Sequence, residues 1–466
     1  MRHFPDDFIF GSGTSAYQIE GSMDADGKSP SIWDAFCSNP ENIYQGHTGE
    51  VACDHYRRHE EDIAIMQQLG LDSYRFSISW PRIYPQQGVV NQRGIAFYRS
   101  LVEKLLAANI RPMVTLNHWD IPLWVYEEGG WLNRQTIAWF ADYARTMFNA
   151  LDDLVDLWVT HNEPFVASLL GYYMGLHAPG HTDLKEALTM SHHLNLSHAE
   201  AVRVFRTVCK PTAQIGLTLN ISPSEPIDQN PHTIELARRA DGFVNRWFLD
   251  PIFKGEYPAD MVGHYEKIVG PLDFIQPGDQ ALIDQPMDFF GLNFYQRNLV
   301  DAAEGTLLGY RGIDEKQPSD LAGWNEYPDV LLGVLRRIRD EYTDLPIIVT
   351  ENGMGLDVEF GDLAERDKFG TTIGVAGSVD YIAEDGKIHD DTRIAYVHNC
   401  LRQCLDFIEE GGNLKGYYLW SLLDNFEWAL GYSKRFGITY VDFETQQRTI
   451  KESGHWYASL IKARGL

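Results

Sequence analysis

Eight short runs rich in β-branched, aromatic and leucine residues recur along the chain, at 8–10, 73–79, 112–116, 157–160, 215–219, 289–294, 347–350 and 416–420. Helical patterns lie between many of them. In 94–108, Ile95, Tyr98, Leu101, Val102, Leu105 and Leu106 share one face at the 3.6-residue period of an amphipathic helix. Glu60, Glu61 and Asp62 ahead of 63–69, with Gly70 after it, read as an acidic first turn and a glycine stop. Strand then helix, repeated, implies a parallel sheet, and eight such units without a Pro/Ser-rich linker imply one closed (β/α)8 TIM barrel. The expected organisation is an α/β fold with a single catalytic domain over 1–466, its excess length spent on elaborated βα loops.

A net charge of −27 repels polyphosphates and anionic membrane surfaces, so nucleic acid is not an expected partner. A proline and two acids stand in 1–10 where a signal peptide needs an apolar stretch, and no window approaches the ~20 apolar residues of a membrane span. A cytoplasmic location is expected. Five cysteines are an odd and sparse count that suits reduced thiols. Cys400 and Cys404 sit at i, i+4 without His or Cys partners nearby, so they read as unrelated thiols. His192, His193 and His198 lack a zinc-site spacing and read as helix packing. No metal and no cofactor is implied, and homo-oligomerisation is left open.

In a barrel of this kind the C-terminal strand ends converge on one face, so polar residues that end apolar strands are candidate catalysts. Strand one leads to Gln18 and Glu20, strand two contains Arg75, and strand three ends in Asn117-His118-Trp119. Strand four ends in Asn162-Glu163, strand six in Asn293-Phe294-Tyr295, strand seven in Glu351-Asn352-Gly353, and strand eight in Trp420, followed by Glu427-Trp428. Amides and carboxylates bond sugar hydroxyls bidentately, while indole faces cover the C–H surface of a pyranose. A pair of carboxyl groups is also what glycosidic cleavage needs: one protonates the leaving oxygen and the other attacks or activates water. A single Glu at a strand end is more often a salt-bridge partner. The pair, ringed by Asn, His, Tyr and Trp, favours chemistry.

Phe10-Gly11 with Thr14-Ser15-Ala16-Tyr17-Gln18-Ile19-Glu20-Gly21, then Thr160-His161-Asn162-Glu163-Pro164, then Ile348-Val349-Thr350-Glu351-Asn352-Gly353 resemble the three signatures of glycoside hydrolase family 1, the β-glucosidases. Asn117-His118-Trp119-Asp120-Ile121-Pro122 and the stretch from Trp420 to Trp428 are similar to it too. The resemblance implies a retaining double displacement with Glu163 as acid/base and Glu351 as nucleophile. Arg75 and Tyr295 would hold Glu351 ionised, and the pocket of Glu163 would raise its pKa. It further implies a glycon subsite of Gln18, His118, Asn162, Asn293, Tyr295, Glu427 and Trp428, with Trp420 as stacking floor and Trp324 as platform for the leaving group. Entrance residues would include Phe165 and Leu170. The expected substrates are small β-glucosides and cello-oligosaccharides.

Two positions depart from the family pattern. His161 replaces an apolar residue and reads as a buried neutral His, with modulation of Glu163 as the alternative. The stretch between Glu351 and Arg393 is roughly double what members commonly show, so a segment around 358–379 looks inserted and would form a flap, a subunit contact or a passive excursion. An unphosphorylated glycon is expected, because Glu427 would repel a phosphate and Phe436 cannot donate a hydrogen bond, while Lys434 reads as a surface charge beside Arg435. Three other readings compete. Gly11-Ser12-Gly13-Thr14-Ser15-Ala16 formally satisfies a dinucleotide fingerprint, but Gly21, Gly27 and Pro30 break the helix that must follow it. A non-catalytic sugar-binding relative typically lacks one of the two carboxylates. An S-glycosidase would carry Gln at the position of Glu163.

Overall fold

The computed structural model describes residues 2–313, 330–357, 375–379, 383 and 385–466. Eight strands form the barrel: β1 (Ile9–Gly13), β2 (Ser73–Ser77), β3 (Arg111–Asn117), β4 (Leu157–Asn162), β5 (Gln214–Asn220), β6 (Phe289–Asn293), β7 (Ile347–Asn352) and β8 (Leu414–Trp420). They pair in parallel, each with its sequence neighbours, and β8 pairs with β1 to close the barrel. Met113, Leu157, Val159, Phe289, Ile348 and Tyr418 pack as one buried cluster from five different strands, separate from the larger cluster between strands and helices.

Several strands run further than their apolar residues suggest. β4 continues through His161 and Asn162, and β7 through Glu351 and Asn352, because these polar residues keep their place in the ladder. β1 extends to Gly13 for another reason. A Cβ on Gly11 would lie 2.4 Å from a ring carbon of Tyr418, so the bare backbone lets an aromatic ring of β8 close over β1. These glycines therefore serve packing. Only a four-residue helix, Ala16–Ile19, follows them, and the dinucleotide reading lacks its helix.

Seven longer helices cover or follow the strands: α1 (His55–Leu69), α2 (Gln92–Ala107), α3 (Gln135–Leu151), α4 (Leu184–Val208), α5 (Val330–Glu341), α6 (Asp391–Glu409) and α7 (Glu452–Ala463). α2 buries Tyr98, Leu101, Val102 and Leu105 as its periodicity predicts, although Leu106 is exposed. The acidic triplet proves not to be a first turn. α1 already starts at His55, and Asp62 is buried mid-helix between His55 Nδ1 at 2.7 Å and Arg448 Nε at 2.9 Å. Gly70 does end that helix, in the left-handed conformation at φ 71°. His192, His193 and His198 are buried on α4 and bonded to Asp279, the Trp131 carbonyl and Thr160 respectively. Cys400 and Cys404 are buried free thiols.

The loops on the C-terminal side carry small sheets of their own. Ser224–Pro226 pairs with Asn298–Ala302, which pairs with Tyr310–Ile313. Leu356–Asp357, after β7, pairs with Lys434–Arg435, after β8, and with Val375–Val379. Of the segment expected to be inserted, 358–374 lies outside the described residues, as does Trp324. Among the described residues no helix is long and apolar enough to cross a membrane.

Two irregularities in the ladder aim the site. On β4, Leu157 and Val159 belong to the barrel-interior cluster, so strict alternation would turn His161 inward and Asn162 outward. The β4/β5 register shifts between Val159 and Asn162. His161 consequently stacks on Phe140 of α3, with centroids 4.5 Å apart, and bonds Ser197 of α4 at 2.8 Å, while Asn162 faces the barrel mouth. On β7 the register shifts between Val349 and Glu351 against β6. Bulges next to active sites commonly re-aim side chains in this way.

Candidate active site

The C-terminal strand ends open into a cavity of about 330 Å³ lined by Glu163, Glu351, Tyr295, Trp420, Glu427 and Trp428, among others. Glu351, at the end of β7, is held from two sides. Arg75, fully buried on β2, donates to its Oε1 at 2.5 Å, and the Tyr295 phenol donates to its Oε2 at 2.8 Å. Burial, and then the Glu351 carboxylate, push the phenol well above the usual tyrosine range, so it keeps its proton to donate. The second guanidinium nitrogen of Arg75 donates to Asn162 Oδ1 at 2.7 Å. Asn293 Nδ2 reaches both Asn162 Oδ1, at 3.1 Å, and Glu163 Oε1, at 2.8 Å. A continuous chain of hydrogen bonds thus joins the two carboxyl groups.

Their electrostatic situations differ. Burial and the nearby charge of Glu351 raise the Glu163 carboxyl to about 8, against the opposing bond from Asn293 and charge of Arg75. Glu163 therefore holds a proton at neutral pH while its neighbour is gripped by a guanidinium. Environments that drive two carboxyls apart are the usual means of assigning acid and base roles in one pocket. Glu427 is also raised to about 8, by burial and then by Glu351, with Lys434 and Gln18 acting the other way.

The remaining pocket residues form a polar and aromatic bed. Gln18 Nε2 donates to Asn425 Oδ1 at 3.0 Å and to the Phe426 carbonyl at 2.9 Å, and lies 3.5 Å from Glu427 Oε2. His118 meets Asn162 Nδ2 at 3.1 Å and is kept neutral, its pKa well below normal through burial and then the charge of Arg75. Its ring stacks between Trp420, at 5.8 Å, and Trp428, at 6.0 Å. Trp119 packs on Trp428 at 4.5 Å and donates Nε1 to the Asn162 carbonyl, so it is both core and pocket wall. Trp119, Glu163 and Trp428 adopt positive φ of 82°, 46° and 50°. For non-glycine residues each such conformation costs about 1–3 kcal/mol, and it persists where the surroundings over-determine it.

Two sequence expectations need correction. Glu20 turns away from the pocket: its carboxylate accepts from Arg82 Nη2 at 2.9 Å and from Tyr98 Oη at 2.6 Å, a buried structural pair. Lys434 is no surface charge. It is buried, and its positive charge acts on Glu427. Arg435 beside it is buried on Asp424 at 2.7 Å. His161 is a buried neutral His, its pKa lowered well below normal by burial and then by His198. Phe165 and Leu170 line the cavity, as does Phe436. Asn220, Ser222, His177 and Val244 line it too, and no motif marks them. Gln296 and Asn298, polar residues just past strand six, line it as well.

A closed (β/α)8 barrel whose mouth holds two unlike carboxyl groups over an indole floor defines a carbohydrate-processing enzyme. The chain belongs to glycosyl hydrolase family 1, whose family model matches residues 1–466. It is 45% identical over 466 residues to β-glucosidase A of Acetivibrio thermocellus, with 99% of each chain covered. Among solved structures, the family 1 β-glucosidase of Exiguobacterium antarcticum superposes with a TM-score of 0.90 at 47% identity, covering 99% of both chains. The family 1 β-glucosidase of Thermotoga maritima in complex with isofagomine lactam gives a TM-score of 0.90 at 40% identity over the whole of both chains.

Proposed function

We propose that this chain is a retaining β-glucosidase that removes terminal, unphosphorylated β-D-glucosyl residues from small β-glucosides and cello-oligosaccharides. Glu351 attacks the anomeric carbon while Glu163 gives its proton to the glycosidic oxygen, which leaves with the aglycone. The deprotonated Glu163 then takes a proton from water as that water attacks the glucosyl–Glu351 ester, and Glu163 is reprotonated for the next cycle. The observation that carries this reading is the contrast between the two groups: Glu351 clasped by Arg75 and Tyr295, Glu163 buried and raised to about 8. Gln18, His118, Asn162 and Glu427 supply hydrogen bonds to the sugar hydroxyls, and Trp420 and Trp428 cover its apolar surface.

An unphosphorylated glycon follows from the wall around Glu427. The Glu427 carboxyl there can bond two sugar hydroxyls, and in its ionised form, reached as pH rises through about 8, it repels a phosphate of charge about −1.5 to −2. Lys434 is engaged electrostatically with that carboxylate, and Phe436, on the cavity wall, has no donor to offer. A cytoplasmic location fits five free thiols, and a part in the final breakdown of cellulose fits cello-oligosaccharides as substrates. The test is release of nitrophenol from its β-glucoside without added cofactor, set against the 6-phosphate. The plain glucoside should be preferred, and Glu427→Ser should weaken its hydrolysis. Preference for the phosphorylated form would overturn the reading of Glu427.

A further inference from the structure

Behind the Glu351 wall lies a set of contacts built by the first turns of α6. Tyr396, buried on that helix, accepts from Asn352 Nδ2 at 2.9 Å and donates to the backbone oxygen of Tyr295 at 2.7 Å. Asn352 directly follows Glu351, and its Nδ2 also donates to the Phe294 carbonyl at 2.6 Å, while the Tyr417 phenol donates to its Oδ1. One phenol on a neighbouring helix thus ties the segment that carries Glu351 to the segment that carries Tyr295. The strand ladder adds one backbone bond there, from the Phe294 N–H to the Glu351 carbonyl at 3.0 Å, and stops short of the Tyr295 carbonyl, which Tyr396 takes. Pairing between β6 and β7 shifts between Val349 and Glu351, and its last registered pair is Glu351 with Asn293, two residues short of Tyr295. Arg393, one turn earlier on α6, bonds the Met354 carbonyl at 3.1 Å and the Arg435 carbonyl at 2.8 Å, fastening the same helix end to the loops after β7 and β8.

We infer that Tyr396 is a positioning residue for formation of the glucosyl–enzyme bond: it fixes the Tyr295 phenol against the Glu351 carboxylate through the Tyr295 carbonyl and Asn352. Hydrogen bonds weaken steeply as their angle closes, so a small drift of the Tyr295 backbone loosens the bond from its phenol to Glu351. Without the Tyr396 hydroxyl, the Tyr295 carbonyl loses a buried donor and Asn352 loses one acceptor. A buried carbonyl left without its donor carries a desolvation penalty, which favours a shift of the Tyr295 backbone toward another donor. The inference rests on Glu351 as the nucleophile.

The test is a double-mutant cycle on Tyr396→Phe and Tyr295→Phe. Ring volume is kept in both, so the fold stands. Three quantities are measured: kcat and KM for dinitrophenyl β-glucoside, the rate of trapping by its 2-deoxy-2-fluoro analogue, and the melting temperature. Tyr396→Phe should slow trapping and lower kcat/KM about five- to tenfold, the equivalent of one hydrogen bond, with KM changed by less than about twofold. In the Tyr295→Phe background the same substitution should have almost no further effect on either rate. Rate losses that multiply across the two sites would overturn the inference. So would unchanged trapping with a lowered melting temperature, which is what a merely structural hydroxyl gives. Full trapping by Glu351→Gly is a distinguishable failure, since it removes the nucleophile assignment itself.

Discussion

At the residue scale, the division of labour between Glu163 and Glu351 has kinetic consequences of known sign. In the proposed mechanism Glu163 acts first as an acid, and it is raised to about 8, so kcat/KM should fall as pH rises through about 8, where the free enzyme loses that proton. Glu163→Gln should remove this basic limb from the profile. General acid catalysis contributes about 10²–10⁴-fold, so the same variant should lose that much on alkyl glucosides and far less on dinitrophenyl glucoside, whose leaving group needs no proton. Equal losses on both would count against Glu163 as the acid. His161 differs from its neighbours, because its partners are Asn117, Ser197 and the Phe140 ring and not the pocket. His161→Leu should therefore destabilise by about 1–3 kcal/mol, through the polar groups it orphans, and leave kcat nearly unchanged. A large change in the Glu163 limb of that variant would revive the idea of a modulator.

At the scale of strands and helices, the sequence makes barrel architecture and motif positions legible, because strand-forming runs and strand-end polar residues follow simple periodicities. The reversal at β4 is not legible in that way. Alternation puts His161 in the barrel and Asn162 outside it, and only the bulge, a property of pairing with β5, exchanges them. The start of α1 is missed for a similar reason: its first turns are polar and charged, and their buried members, His55 and Asp62, earn that burial through Arg448, nearly four hundred residues away in the chain. Lys434 reads as a surface charge because only the fold brings the loop after β8 against the strand that follows β7. The close approach of β1 to β8 can be probed by Gly11→Ala. A Cβ 2.4 Å from the Tyr418 ring forces one strand to move, and overpacking of this kind costs about 1–3 kcal/mol. Thermal denaturation should show the loss, and an unaltered melting temperature would mean that Tyr418 yields without cost.

At the scale of the whole molecule, the pocket is a source of instability that grows with pH. Glu163 and Glu427 both hold a proton more tightly folded than unfolded, with values of about 8 against an ordinary 4.5. Their favourable contribution is complete below about 4.5 and is lost as pH rises through about 8, since the folded state binds more protons across that window. Denaturant titrations at a series of pH values should show Glu163→Gln and Glu427→Gln gaining stability over the parent as pH climbs from 5 to 8. A gain that shrinks over that range would contradict the raised values. The central claim is that Glu351 becomes covalently glucosylated with retention of configuration. Incubation with 2,4-dinitrophenyl 2-deoxy-2-fluoro-β-glucoside followed by peptide mass spectrometry tests it most directly. The added fluoroglucosyl mass should sit on the peptide containing Glu351, at Glu351 itself, in step with loss of activity. Inactivation with the label on another residue, or turnover of the probe with no covalent adduct, would contradict it.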